Sequence, residues 1–239
     1  MANLRTGKHI SRSFNDELDK IRNNLLAMGG LVEQQISKAT RAFQERDSNL
    51  AEEVLQEGAQ VNHLEKKIDE ESAQCLAKRQ PAASDLRLIL TVVKIVSDVE
   101  RIGDQAERLA RIANKLSVQQ RPRNNYQEIF LLAEQVRQMF YDALDAFARM
   151  DVEMALKVIR IDDKVNQEYD AIVTQYTQIM KDDPASIDRS LDIMWAARAM
   201  ERIGDHSCNI CEYIIYLARG KDVRHKTIEE QAQRVFENR

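Results

Sequence analysis

Glu100-Arg-Ile-Gly-Asp104 recurs, residue for residue, as Glu201-Arg-Ile-Gly-Asp205, at an offset of 101. Upstream, Ala42-Phe43 with Asp47 returns as Ala146-Phe147 with Asp151, and Val61-Asn62 returns as Val165-Asn166, both at an offset of 104. Three matches in the same order identify an internal duplication, with three residues lost between Asn166 and Glu201 in the second copy. The prolines punctuate the same units. Pro81 and Pro184 stand at matching places in KRQPAASDLR (78–87) and KDDPASIDRS (181–190), and Pro122 lies in RPRNN (121–125), which reads as the linker between copies. Each falls where a helix has to begin anew, because proline lacks the amide hydrogen and clashes with the turn before it.

Between these marks the apolar residues keep helical time. Leu86, Ile89, Leu90, Val93, Val96, Ile102, Ala106, Leu109 and Ile112 recur at three and four residues, and Ile129, Leu132, Ala133, Val136, Met139, Phe140, Ala143, Leu144 and Phe147 do likewise. The spacing predicts six long helices, at about 12–45, 48–79, 82–118, 124–149, 152–182 and 185–219. The expected fold is all-α: two tandem three-helix bundles, 10–118 and 124–220, followed by a C-terminal tail, 221–239. Residues 222–239 are polar with weak periodicity, which fits either a short docked helix or a frayed tail. With 7 Gly, 3 Pro and 31% charged residues in 239, the composition suits long amphipathic helices and leaves little turn chemistry for hairpins.

Lys and Arg total 35 against 39 Asp and Glu, so the net charge is −4 and makes no case for nucleic acid. The longest apolar stretch, Leu88 to Val99, is broken by Thr91, Lys94, Ser97 and Asp98, far short of the ~20 apolar residues of a spanning helix. Membrane association is therefore expected to be peripheral at most. The opening MANLRTGKHI has no apolar signal core, and three cysteines, Cys75, Cys208 and Cys211, suit reduced thiols; a cytoplasmic location is expected.

On a helix, residues i and i+4 share a face, so Glu100/Asp104 and Glu201/Asp205 each set two carboxylates side by side. Such like charges repel, and a hard cation with oxygen ligands (Mg, Mn, Ca or ferric iron) would offset the repulsion; so would Arg101 and Arg202 beside them. Further ligands would come from Glu65 and Asp69 on the second helix, or Asp162 and Glu168 on the fifth. Gly103 and Gly204 inside the motifs each cost about 1 kcal/mol relative to alanine, for close helix approach or for room around an ion. The Glu-x-x-His pattern of di-metal bundles is missing, Cys208-x-x-Cys211 has no second pair to complete a zinc site, and His206 stands alone. In Asp145-Ala-Phe-Ala-Arg-Met-Asp151, Asp151 suits a helix N-cap, and Arg149 is expected to project at an exposed corner where it could anchor a partner protein. No nucleotide-binding loop, nucleophile elbow or catalytic triad is present, so no catalysis is expected.

KRQPAASDLR, the duplicated ERIGD and DAFARMD together resemble the PhoU family, over nearly the whole chain. The resemblance implies a cytoplasmic negative regulator of phosphate-starvation genes, an adaptor between a high-affinity phosphate ABC transporter ATPase and a sensor histidine kinase. It also implies metal binding, without a required cofactor, at Glu100, Asp104, Glu201 and Asp205. A homodimer is the expected assembly. One departure stands out: the family's Asp before Val-Asn is Asp162 in the second copy but Gly58 in the first, which predicts a weaker or water-filled first site. The rival expectation is a carboxylate-based metal-binding bundle, acting either as a metal-dependent enzyme or as a scaffold.

Overall fold

Asp47 and Asp151 begin helices in the same way. Each follows a residue with positive φ, Arg46 at 62° and Met150 at 53°, which turns the chain. The aspartate side chain then accepts from the first free amides, Asp47 from Asn49 (2.9 Å) and Leu50 (3.3 Å), Asp151 from Met154 (3.0 Å). These two corners separate α1 (Arg12–Glu45) from α2 (Ser48–Arg79), and α4 (Gln127–Arg149) from α5 (Val152–Asp182). The computed structural model describes residues 12–118, 126–224 and 226–236. Within them, α3 (Ala83–Ser117) and α6 (Ile187–Arg219) complete six long helices, and no strand occurs among the described residues. The linker at 121–125 with Pro122, the opening ten residues and the expected start of the fourth helix at 124 lie outside the described residues.

Two boundaries differ in an instructive way. Pro184 does not open α6 directly; it heads a single 3-10 turn, Pro184–Ser186, capped by Asp183 through the Ala185 amide at 3.1 Å. The polar tail forms a further helix, α7 (Ile228–Phe236), which lies against α5. Thr227 and Glu230 bond each other's amides at 3.0 and 3.3 Å, a capping box, and the buried Gln231 donates to Glu212 of α6 at 3.1 Å.

The helices assemble through two antiparallel pairs. α1 and α4 pair through Arg22, which donates to the Ala148 carbonyl, and Arg137, which donates to Glu33 at 2.9 Å. Gly29 lets them approach, since a methyl there would stand 2.7 Å from Leu144. α3 and α6 pair through Lys94 over the Tyr213 ring (5.3 Å), Asp98 with His206 (2.7 Å), Arg108 over Trp195 (4.8 Å) and Lys115 with Asp192 (2.8 Å). Numbers rising on one helix meet numbers falling on the other, so the two run in opposite directions. α2 packs against α1 and α3, and α5 against α4 and α6. Ile95, Val99 and Ile102 of α3 and Ile203, Ile210 and Ile214 of α6 are fully buried in the resulting core.

Candidate functional site: the carboxylate grooves of α3 and α6

The first groove lies between α2 and α3. At Gly103 of α3 an added methyl would meet Val32 and Gln35 of α1 and Val61 of α2 at 3.4–3.5 Å. Close packing of three helices accounts for this glycine. Along the groove Glu65 of α2, with Asp69 one turn on, lies within electrostatic reach of Glu100 and Asp104 of α3. Burial pushes Glu100 above the ordinary carboxylate range, and the charges of Asp104 and Glu65 push it further. Burial also raises Glu65 and Asp69, with Asp69 and Asp104 adding to the rise at Glu65.

The groove holds a further carboxylate, which sequence reasoning missed. Glu107, one turn beyond Asp104, reaches across to α2, and its Oε1 stands 1.7 Å from where a Cβ on residue 58 would be. Gly58 is the residue that leaves room for it. Burial raises the Glu107 carboxyl, while Arg111, donating to its Oε2 at 2.6 Å, pulls it back. The expected gap at Gly58 is thus filled by a carboxylate from the opposite helix. The offsets carried the signal: at 104 Gly58 aligns with Asp162, and at 101 Glu107 aligns with Cys208. A carboxylate and a small partner have changed walls.

The second groove lies between α5 and α6. Asp162 supplies its carboxylate from α5, with Oδ1 3.3 Å from the place a Gly204 methyl would take. Asn166 donates to its Oδ2 at 3.0 Å. Glu201, only 7% exposed, accepts from Arg198 at 2.5 Å through Oε1. Burial raises both carboxyls, and the charge of Asp205 adds to each. Two oxygens here, Glu201 Oε2 and Asp162 Oδ1, are buried with no hydrogen-bond partner. An unpartnered buried carboxylate oxygen is costly, and a proton, a water or a cation would each remove the cost.

Among the described residues no group of three or more His, Cys, Asp or Glu side chains stands ready to hold a metal ion. The donor set therefore does not form a closed cage of the zinc kind. It does suit a hard, hydrated cation, which keeps several waters and takes one or two carboxylates. Glu168, the other carboxylate considered on α5, pairs with Lys164 at 3.5 Å.

His206 is not a surface residue. It is 6% exposed and bonds Asp98, itself 3% exposed, at the centre of the α3–α6 pair, where Asn209 also donates to Asp98 at 3.3 Å. The partner of His206 lies 108 residues away in the chain, so no local pattern announces it. Cys75, Cys208 and Cys211 are free thiols, and burial raises all three, so they stay protonated. Arg149 ends α4 at an exposed corner, with its side chain 71% exposed and its Nε donating to Asp145 at 2.8 Å.

Six long helices joined by two antiparallel pairs, with an acidic groove beside each Glu-x-x-x-Asp, define an all-helical protein whose polar chemistry is concentrated between helices. The family model described as the PhoU domain matches twice, at residues 25–113 and 129–214. The chain belongs to the PhoU family. It is 48% identical over 227 residues to the phosphate-specific transport system accessory protein PhoU homolog of Pseudomonas putida, covering 95% of this chain and 89% of that one. The crystal structure of PhoU from Pseudomonas aeruginosa superposes with a TM-score of 0.85 at 48% identity, over 87% of this chain and all of that one. The phosphate transport system regulatory protein PhoU from Streptococcus pneumoniae superposes with a TM-score of 0.82 at 28% identity, over 88% and 99%.

Proposed function

We propose that this chain is an accessory regulator of a phosphate-specific transport system. It acts in the cytoplasm as an adaptor without catalysis of its own. Its partners are the ATPase of a high-affinity phosphate ABC transporter and a sensor histidine kinase, and when phosphate is plentiful it holds down phosphate-starvation genes and uptake. The observation that carries this is the near-full-length similarity to proteins named as an accessory protein and a regulatory protein of phosphate transport systems. No described helix is long and apolar enough to cross a membrane, in keeping with peripheral contact at most. The functional unit is a homodimer. Each chain is divided into units 10–118 and 124–220 and a tail 221–239; the two stretches matched by the family model fall one inside each unit.

An adaptor favours one state of a two-state kinase only by binding it more tightly, and each 1.4 kcal/mol of preference is a tenfold shift. Long preformed helices supply the surface for this, and Arg149 at its corner is a contact in it. Glu100/Asp104 and Glu201/Asp205 hold Mg, Mn or ferric ions that steady the grooves and are not consumed. Inactivating the gene and measuring a phosphate-starvation reporter in phosphate-rich medium tests the role. Derepression is expected, and normal repression overturns it. Arg149→Glu should melt like wild type, since exposed changes usually cost under ~0.5 kcal/mol, yet lose kinase capture. A variant that still captures the kinase removes Arg149 from the interface.

A further inference from the structure

The outer side of the α3–α6 pair is covered by no described helix. One stripe of each helix looks out there. On α3 it runs through Leu86, Leu90, Lys94, Arg101 and Arg108, in steps of four and seven residues, and on α6 through Ile187, Leu191, Trp195, Arg198 and Arg202, in steps of three and four. Each stripe opens apolar and turns basic. At the offset of 101, Leu86 matches Ile187 and Leu90 matches Leu191, and all four side chains are 38–44% exposed. Core packing does not account for an apolar pair that faces water in both copies, and such a patch marks a contact. Because the helices are antiparallel, the two apolar pairs lie at opposite ends of one face, about 40 Å apart at 1.5 Å per residue. Trp195, half exposed beneath Arg108, extends the second end, and Lys94 lies over Tyr213 near the first.

The stretch between the ends is basic on a chain whose net charge is −4. Arg101 and Arg202 are exposed, whereas the motif glutamates they act on are recessed, Glu100 half-buried and Glu201 buried. Asp104 is exposed, and its charge acts across the α2–α3 groove on Glu65. The occupant of this face is therefore anionic and apolar at once. A second copy laid on it would set the same cations against one another. An acidic helix would have to run for about 27 residues to meet both apolar ends. A bilayer surface meets them together, because lipid headgroups extend the same chemistry over a plane. Tryptophan, tyrosine and long basic side chains are also the residues that sit at that boundary.

We propose that the outer α3–α6 face rests on an anionic phospholipid surface. Leu86, Leu90, Ile187, Leu191 and Trp195 enter the headgroup layer, and Lys94, Arg101, Arg108 and Arg202 meet its phosphates. Binding of this kind is a property of the chain alone, so its test and that of the regulatory role fail independently.

The test uses the full chain and its single tryptophan, which lies on the face in question. Wild type should sediment with vesicles containing phosphatidylglycerol, and not with phosphatidylcholine alone, and added salt should release it. Trp195 emission should shift to the blue on binding and be quenched by lipids with brominated acyl chains. Lys94→Glu/Arg101→Glu should weaken vesicle binding roughly thirtyfold or more, two basic residues near an anionic surface being worth about that. Leu90→Ser/Leu191→Ser should weaken it as well, with circular dichroism confirming that each variant is folded; the quenching in wild type needs no variant. Absence of binding to phosphatidylglycerol vesicles overturns the proposal. So does binding without quenching of Trp195, which would place the contact on another face, or binding undiminished in both variants. Emission that moves with protein concentration alone would make a second copy the occupant. Emission that moves with polyglutamate but not with vesicles would make it an acidic protein segment, and either result overturns the lipid assignment.

Discussion

Replacing Gly58 by alanine would put a methyl group 1.7 Å from Glu107 Oε1, so the carboxylate has to swing out of the α2–α3 groove. The helix gains about 1 kcal/mol of propensity from the change, which offsets the lost groove contact. Gly58→Ala is expected to melt at or slightly above wild type. Its Glu107 should titrate in the ordinary carboxylate range by carbon NMR, and an unchanged, raised titration would show that the side chain never left. A second expectation concerns protons. Burial raises Glu65, Asp69, Glu100, Glu107, Asp162 and Glu201, so the folded chain holds these protons more tightly than the unfolded one. The stability they contribute is full below the ordinary values, 4.5 for Glu and 3.8 for Asp, and is lost as pH rises through the raised ones. Asp222, held down to about 2 by Arg224, acts only below that window. In chelator, Glu201→Gln should therefore melt above wild type at pH 8, and the two should converge as pH falls toward the ordinary glutamate value. Wild type melting higher throughout would mean that the Arg198 pair outweighs burial. Glu100, Asp104, Glu201 and Asp205 were visible in the sequence because their spacing is local. Glu107 over Gly58 and Asp98 with His206 were not, because each needs two helices already packed.

The Asp47 and Asp151 caps satisfy amides that the helices leave open, and replacing either by alanine should cost about 1 kcal/mol. For a chain of this size that lowers the melting temperature by about 2–4 °C. α1 and α4 run antiparallel, so the corners lie at opposite ends of the bundle. The double variant should cost the sum of the two within about 0.5 kcal/mol, as independent sites do. A markedly smaller sum, by calorimetry, would mean that the corners are coupled. Caps and prolines also explain why helix boundaries could be read closely from sequence: Asp47 and Asp151 announce α2 and α5, and Gly220, with φ 67°, closes α6. Two signals were harder to weigh. Pro184 reads as the mark ahead of a helix beginning at about 185, yet proline serves a 3-10 turn equally well, and α6 begins at Ile187. Thr227 and Glu230 cap α7, but the polarity and weak apolar period at 222–239, read without that pair, left docked helix and frayed tail both open.

Across the whole molecule, the α1–α4 and α3–α6 pairs tie the two matched stretches into one body, and α3 is packed by α1, α2 and α6 at once. Unfolding in a calorimeter should give one transition, because losing either half strips apolar surface from the other. Two well-separated transitions would show instead that each half stands alone. The α3–α6 pair also grades its own resistance to solvent. At its middle, Asp98 and His206 are sealed from water. Toward the C-terminal end of α3 the links are Lys115 with Asp192, whose lysine side chain is 58% exposed, and Arg108 over a half-exposed Trp195. Ions screen exposed pairs and leave buried ones almost untouched. Amide hydrogen exchange along α3 should therefore run slowest around residue 98 whatever the buffer, and quicken near residue 115 as salt is added. The helix pair acts like a fastened seam: added salt frays its hem and leaves its central stitch closed.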